Sequence, residues 1–157
     1  MAVLGLACSE ELPLPTRVAM AEPAACRDAA PPQQELRELE GMTVLSARPN
    51  CHLDYCSGVN QVWGISLVVR PPEGTTLEQF TRDLRCHNLR ALSGEGDASR
   101  IPDDPYGLPG SWLDIDVKAQ DGNFVVVLNG DTVADNLLIL RRARAFAAAH
   151  RPTTSAR

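Results

Sequence analysis

The stretch Trp112-Leu113-Asp114-Ile115-Asp116-Val117-Lys118-Ala119-Gln120-Asp121-Gly122-Asn123-Phe124-Val125-Val126-Val127-Leu128 decides the fold class. Leu113, Ile115, Val117 and Ala119 alternate with Asp114, Asp116 and Lys118, a period of two that makes one strand face apolar and leaves the other wet. Asp121-Gly122 offers the two residues that accept positive φ in a tight hairpin turn. Phe124–Leu128 then returns as the partner strand, so the sequence predicts an antiparallel hairpin.

Outward from the hairpin, Val62–Arg70 predicts a further strand. Trp63, Ile65, Leu67 and Val69 alternate with Val62, Gly64, Ser66 and Val68, and Pro71-Pro72 stops the run. Thr75-Thr76-Leu77-Glu78 has the form of a capping box with Thr75 as the cap. Leu77, Phe80, Leu84, Asn88 and Ala91 continue at the helical period, and Gly94 lies just past the end. Thr132 with Asp135 caps a last helix through Leu137, Leu140, Ala143 and Ala147 towards His150, ended by Pro152. Thr43–Arg48 is a modest strand stopped by Pro49, and Gln33–Glu40 is a short helix ended by Gly41. Cys51–Asn60 reads as a loop, and Ser93–Gly110 as a surface loop. The order predicts an α+β domain over residues 35–151: an antiparallel sheet with two helices packed on one face, of ferredoxin-like or split-βαβ type. Residues 152–157 read as a disordered tail.

Apolar residues make up 44% of the 157 positions, enough for a core. The net charge is −5, and the basic cluster Arg141, Arg142 and Arg144 falls late in a helix, where cations complement the dipole. No nucleic-acid footprint is expected from such a balance. No stretch approaches the roughly 18 apolar residues of a spanning helix.

At the start of the chain, Leu4-Gly5-Leu6-Ala7-Cys8 has the form of a bacterial lipobox, with Gly5 where the pattern prefers Leu. Residues 1–8 are therefore read as a truncated lipoprotein signal, with Cys8 carrying a lipid anchor as the chain's membrane contact. Residues 9–34 form a Pro/Ala-rich segment with Pro13, Pro15, Pro23, Pro31 and Pro32. It reads as a disordered leader, an extended spacer between anchor and domain. The expected location is the bacterial cell envelope, facing the periplasm, with the cytoplasm as the alternative.

Two Cys-His dipeptides, Cys51-His52 and Cys86-His87, carry the remaining chemistry, with Cys56 near the first. Successive helical residues lie about 100° apart, so Cys86 points away from the apolar face, towards solvent or a covering loop. His87 falls at the core rim, and a rim histidine with one backbone partner is the simpler reading. With Cys8 as an anchor, Cys26, Cys51, Cys56 and Cys86 remain, an even set that implies two disulfides in an oxidising compartment with three connectivities open. Cys26 could then pin the leader to the domain. The alternative is a soft-metal site for zinc or copper on Cys51, His52, Cys56, Cys86 and His87. No CxxC, GxSxG, P-loop, GxGxxG or HExxH motif occurs, so no catalytic residue is assigned. Glu95, Asp97, Asp103 and Asp104 read as a solvated acidic loop. The leading expectation is a non-enzymatic envelope-associated lipoprotein domain, stabilised by disulfides and needing no cofactor. It would bind an unknown envelope protein or a small ligand.

Leu67-Val68-Val69-Arg70, Cys86-His87-Asn88-Leu89, Pro102-Asp103-Asp104-Pro105 and Arg141-Arg142-Ala143 resemble small uncharacterised lipoproteins of high-GC bacteria, over about half the chain from Val62 to Ala149. The resemblance implies class and location and carries no activity. The topology also looks like that of heavy-metal-associated domains, from which the chain departs by lacking their CxxC loop.

Overall fold

The computed structural model describes residues 12–51, 62–94 and 101–152. Within them the chain runs α1 (Leu14–Ala25), α2 (Pro32–Gly41), β1 (Thr43–Cys51), β2 (Val62–Arg70), α3 (Leu77–Ser93), β3 (Leu113–Gln120), β4 (Asn123–Gly130) and α4 (Val133–Ala149). The strands form one antiparallel sheet in the order β1-β2-β4-β3. The fold is α+β, and this order is only roughly compatible with the ferredoxin-like arrangement. β4 lies between β2 and β3, which α3 connects.

The β3–β4 hairpin closes at the expected turn. Asp121 and Gly122 both have positive φ, 49° and 75°, and Gln120 pairs with Asn123 across it. Ile115, Val117, Phe124, Val126 and Leu128 are buried on one sheet face with Ile65, Leu67 and Val69 of β2. Asp114, Asp116 and Lys118 stand on the other, exposed. The β2 alternation fails at one end. A register shift pairs Asn50 with Gly64 but Cys51 with Val62, so Val62 turns inward and Trp63 is left 63% exposed. β1 also runs on through Pro49, which an edge strand tolerates.

α3 and α4 cover the apolar face. α4 presents Ile139, Leu140, Ala143, Phe146 and Ala147, and α3 presents Phe80 and Leu84. The α3 cap is shifted by one residue from expectation. Thr76, not Thr75, accepts from the Gln79 amide at 3.2 Å, and Glu78 pairs with Arg82 at 3.1 Å instead of reaching back. Gly94 ends the helix at φ 68°, as expected. On α4, Thr132 accepts from the Asp135 amide at 3.1 Å.

Two expectations are corrected. The spacer reading of residues 9–34 does not hold over its described part, which forms α1 and the start of α2. Its prolines cluster at helix starts, where the missing N–H removes no intrahelical bond: Pro13 and Pro31 are N-caps, and Pro15 and Pro32 sit in the first turns. Pro23 stands inside α1, two residues before its end, where strong helix formers surround it: Ala19, Ala21, Ala24 and Ala25. The second correction concerns the loop after α3. Ile101, Asp104, Tyr106 and Leu108 are buried in the described part of a segment read as surface. Tyr106 stacks edge-on against Phe146 at 5.7 Å and donates its hydroxyl to Met42 Sδ at 3.4 Å.

Candidate functional site

α3 is covered on most sides, with Glu78, Arg85 and Ser93 left exposed: the sheet covers one side, while α1, α2 and the 101–110 loop cover others. The side chains of α3 that do not face the sheet therefore meet partners from these covering segments, and two clusters result.

The first cluster centres on His87, which is 1% exposed. Its Nδ1 lies 2.6 Å from Glu35 Oε1 on α2, and its Nε2 lies 2.6 Å from Asp104 Oδ2 in the loop. Arg90, one turn along α3, donates to the second Glu35 oxygen and to the Ala30 carbonyl. Asp104 Oδ1 accepts from the Tyr106 amide at 2.9 Å, and Arg142 of α4 donates to the Asp104 and Gly107 carbonyls at 3.4 and 3.1 Å. Burial alone would lower the imidazole pKa, but the hydrogen bonds and charges of Asp104 and Glu35 more than reverse it, raising it to about 9. The ring is thus an imidazolium at neutral pH, donating from both nitrogens. Nearby, Asp83 accepts from the Ala30 amide at 2.8 Å, and burial raises its carboxyl above the usual range against that bond. Burial likewise pushes the Tyr106 phenol up, with the charge of Asp104 adding to it.

The second cluster fastens α1 across α3. A disulfide joins Cys26, just past the end of α1, to Cys86 with Cα atoms 4.8 Å apart. At the other end Arg17 forms an ion pair with Asp131 at 2.7 Å, and its guanidinium lies 4.3 Å from the centre of the Trp112 ring. The Trp112 indole N–H donates to Asp114 Oδ1 at 2.7 Å, which fixes the ring's angle. Between these attachments α1 buries no residue. Clefts of about 390 and 710 Å³ lie beside it, both bordered by Ala21, Ala25 and Arg85. Trp112 and Asn88 line the smaller, and Leu77 and Val117 the larger.

Two residues of the proposed ligand set are already engaged. Cys86 is bonded to Cys26, so Cys86 offers no thiolate, and His87 has both ring nitrogens on carboxylates, so it offers no lone pair. The rim reading of His87 is corrected with it: α2 and the loop close over the helix edge that phase alone leaves at the boundary. Of the disulfide candidates, Cys26 and Cys86 are joined. His52, Cys56 and the Cys51 side chain lie outside the described residues, as do Cys8, Glu95 and Asp97. Among the described residues no group of three or more His, Cys, Asp or Glu side chains is arranged to hold a metal ion. Asp103 is exposed, whereas Asp104 is buried, so the acidic-loop reading fails for the residue that matters most.

Glu35 and Arg17 were not legible as site residues. The signal for Glu35 is its spacing from Leu39: four residues apart on α2, they share the inward face, and both are 3% exposed. For Arg17 no sequence signal existed, since its partners Trp112 and Asp131 belong to segments far along the chain.

No family model, curated protein or solved structure matches this chain.

Proposed function

We propose that the chain is a non-enzymatic binding domain of the bacterial cell envelope, lipid-anchored through Cys8 and stabilised by disulfide bonding. Its ligand is another envelope protein or a small molecule. The observation that carries this reading is the Cys26–Cys86 disulfide, which links residues 60 positions apart and ties the N-terminal helix to the domain. Such a bond persists in an oxidising compartment and is rare in a reducing cytosol. The lipobox-like Leu4–Cys8 supplies the anchor.

The histidine cluster supports a binding rather than a catalytic role. A general base must reach a substrate proton, and His87 has both nitrogens bonded within a buried set. Its charges serve to hold α2, α3 and the loop together.

The test is a peptide map of the full-length protein purified from its bacterial host without reductant, after alkylation. A Cys26–Cys86 crosslinked peptide that separates on reduction is expected, together with partitioning of the full chain into detergent. Quantitative alkylation of both cysteines before reduction overturns the oxidised-domain reading. A chain that stays in the aqueous phase overturns the anchor.

A further inference from the structure

We propose that α1 is a displaceable strap, and that the cup its Arg17 fills, formed by Trp112 and Asp131, receives an arginine side chain of a protein partner once the Cys26–Cys86 disulfide is reduced. The inference shares the disulfide with the reading above and is independent of the Cys8 anchor.

α1 is attached like a strap. A helix belonging to a core buries an apolar stripe, and its removal exposes that stripe to water. α1 buries no residue: the side it turns to the domain, Leu14, Val18, Ala21 and Ala25, is only half-buried, so lifting it gives up less apolar contact than removing a core helix would. Its fastenings are at the two ends: the covalent one at Cys26 and the ionic one at Arg17. The clefts beside it show that its contact with α3 is not close-packed along its length.

The cup is built for a guanidinium. An aromatic face attracts a cation through its quadrupole, and a planar carboxylate matches the two-pronged fork of arginine better than the point charge of lysine. Both elements are present: Asp131 Oδ2 and Oδ1 take Arg17 Nη1 and Nη2 at 2.7 and 3.4 Å, while the Trp112 ring lies under the same group. Asp114 holds the ring by its N–H, independently of Arg17, so the cup keeps its shape when α1 leaves. Asp114, Asp116 and Asp131 are all exposed on this side, and a chain of net charge −5 favours a basic partner. Arg17 is then the internal stand-in for the partner's arginine.

Release needs a dithiol as co-reactant. One thiolate of the dithiol attacks Cys26 Sγ, since Cys26 is half-buried and Cys86 fully buried, and the Cys86 sulfur leaves as a thiolate that takes up a proton. The second thiol of the dithiol then attacks the mixed disulfide and releases Cys26. The dithiol ends as a disulfide, and the protein gains two thiols.

The experiment uses the full chain carrying Trp63→Phe, so that Trp112 is its single tryptophan, with and without dithiothreitol. The probes are a synthetic peptide of residues 12–27 with Cys26→Ser and the same peptide with Arg17→Gln. Expected results are a trypsin-resistant Arg17–Val18 bond in the oxidised chain and cleavage at least about tenfold faster after reduction. The Arg17 peptide should shift Trp112 fluorescence saturably in the reduced chain only, with the Arg17→Gln peptide about tenfold weaker from loss of the ion pair and the ring contact. Equal binding of the two peptides overturns the cup. Unchanged protection of Arg17 after complete reduction overturns the strap, as does loss of the cooperative thermal transition on reduction. If Cys26 and Cys86 are thiols in the isolated protein, the envelope reading and the latch both fail. The peptide titration on a Cys26→Ser chain still decides the cup.

Discussion

Glu35 Oε1 and His87 Nδ1 lie 2.6 Å apart although 52 positions separate them in the chain. The contact fastens α2 to α3, and the opposite ring nitrogen fastens α3 to the loop through Asp104. One imidazolium therefore ties α2, α3 and the loop to one another. Two carboxylates and two cations, His87 and Arg90, meet there, so the buried charges are balanced.

A pH dependence follows from this arrangement. The folded imidazole pKa, about 9, lies above the ordinary histidine value of 6.5. The folded state thus holds its proton more tightly, and the stabilisation is fully present below about pH 6.5 and lost as pH rises through 9. A shift of this size corresponds to on the order of 3 kcal/mol. Urea denaturation of the wild type should show a falling midpoint between pH 6.5 and 9.5. A His87→Gln chain should be less stable throughout and nearly flat in that window.

Removing the carboxylate tests the same cluster from the other side. Glu35→Ala leaves His87 Nδ1 without a partner and Arg90 with only the Ala30 carbonyl, and stripping one member from a buried ion set costs about 3–5 kcal/mol. Glu35→Gln keeps an acceptor and should cost less. In both variants the pH-dependent step of His87 should move to lower pH, read by NMR titration of the imidazole protons.

The hairpin, the last helix with its Thr132 cap, and the helix ended by Gly94 were legible because each is written in local spacing. Trp63 was misread, since the register shift at Asn50 and Cys51 is set by pairing between strands and leaves no mark in the alternation of β2 alone. α1 was misread because proline content argues against helix only where the proline must donate. At Pro13 and Pro15 it need not. Cys86 faces away from the apolar set of α3, as helical phase predicts, but unlike Glu78 and Arg85 it does not reach solvent, because the end of α1 covers it through the disulfide. His87 shows the same limit: helical phase places a side chain on an edge, and only tertiary structure supplies Glu35 and Asp104.

Gly107 sets how close the loop comes to α3. A Cβ there would stand 2.8 Å from Ala91 Cβ, 3.3 Å from Asp104 Oδ2 and 3.5 Å from His87 Nε2. Gly107→Ala should push the loop outward, lengthen the Asp104–His87 bond and cost about 1–3 kcal/mol. Gly41→Ala is the matched control. Nothing lies within 4 Å of its Cβ position, and Gly41 is in the last turn of α2, so alanine should stabilise by about 0.4–1 kcal/mol. Paired thermal melts of the two variants should move in opposite directions.

Arg85 and Asn88 guard the exposed edge of the sheet. β3 is an edge strand, and its Ile115 carbonyl accepts from Arg85 Nε and Nη2 at 3.1 and 3.0 Å, while its Leu113 carbonyl accepts from Asn88 Nδ2 at 3.0 Å. Those bonds occupy acceptors that would otherwise template another strand. Arg85→Ala frees the Ile115 carbonyl and should cost about 1 kcal/mol in stability, the net worth of the lost bonds. Its larger effect should be on association, since the edge then carries an open acceptor beside the apolar side chains of Leu113 and Val117. Light scattering of Arg85→Ala should rise with protein concentration where the wild type does not, and Arg85→Lys, which keeps a charge on the edge, should fall between them. Equal scattering from all three would mean that Asp114, Asp116 and Lys118 protect the edge by charge alone.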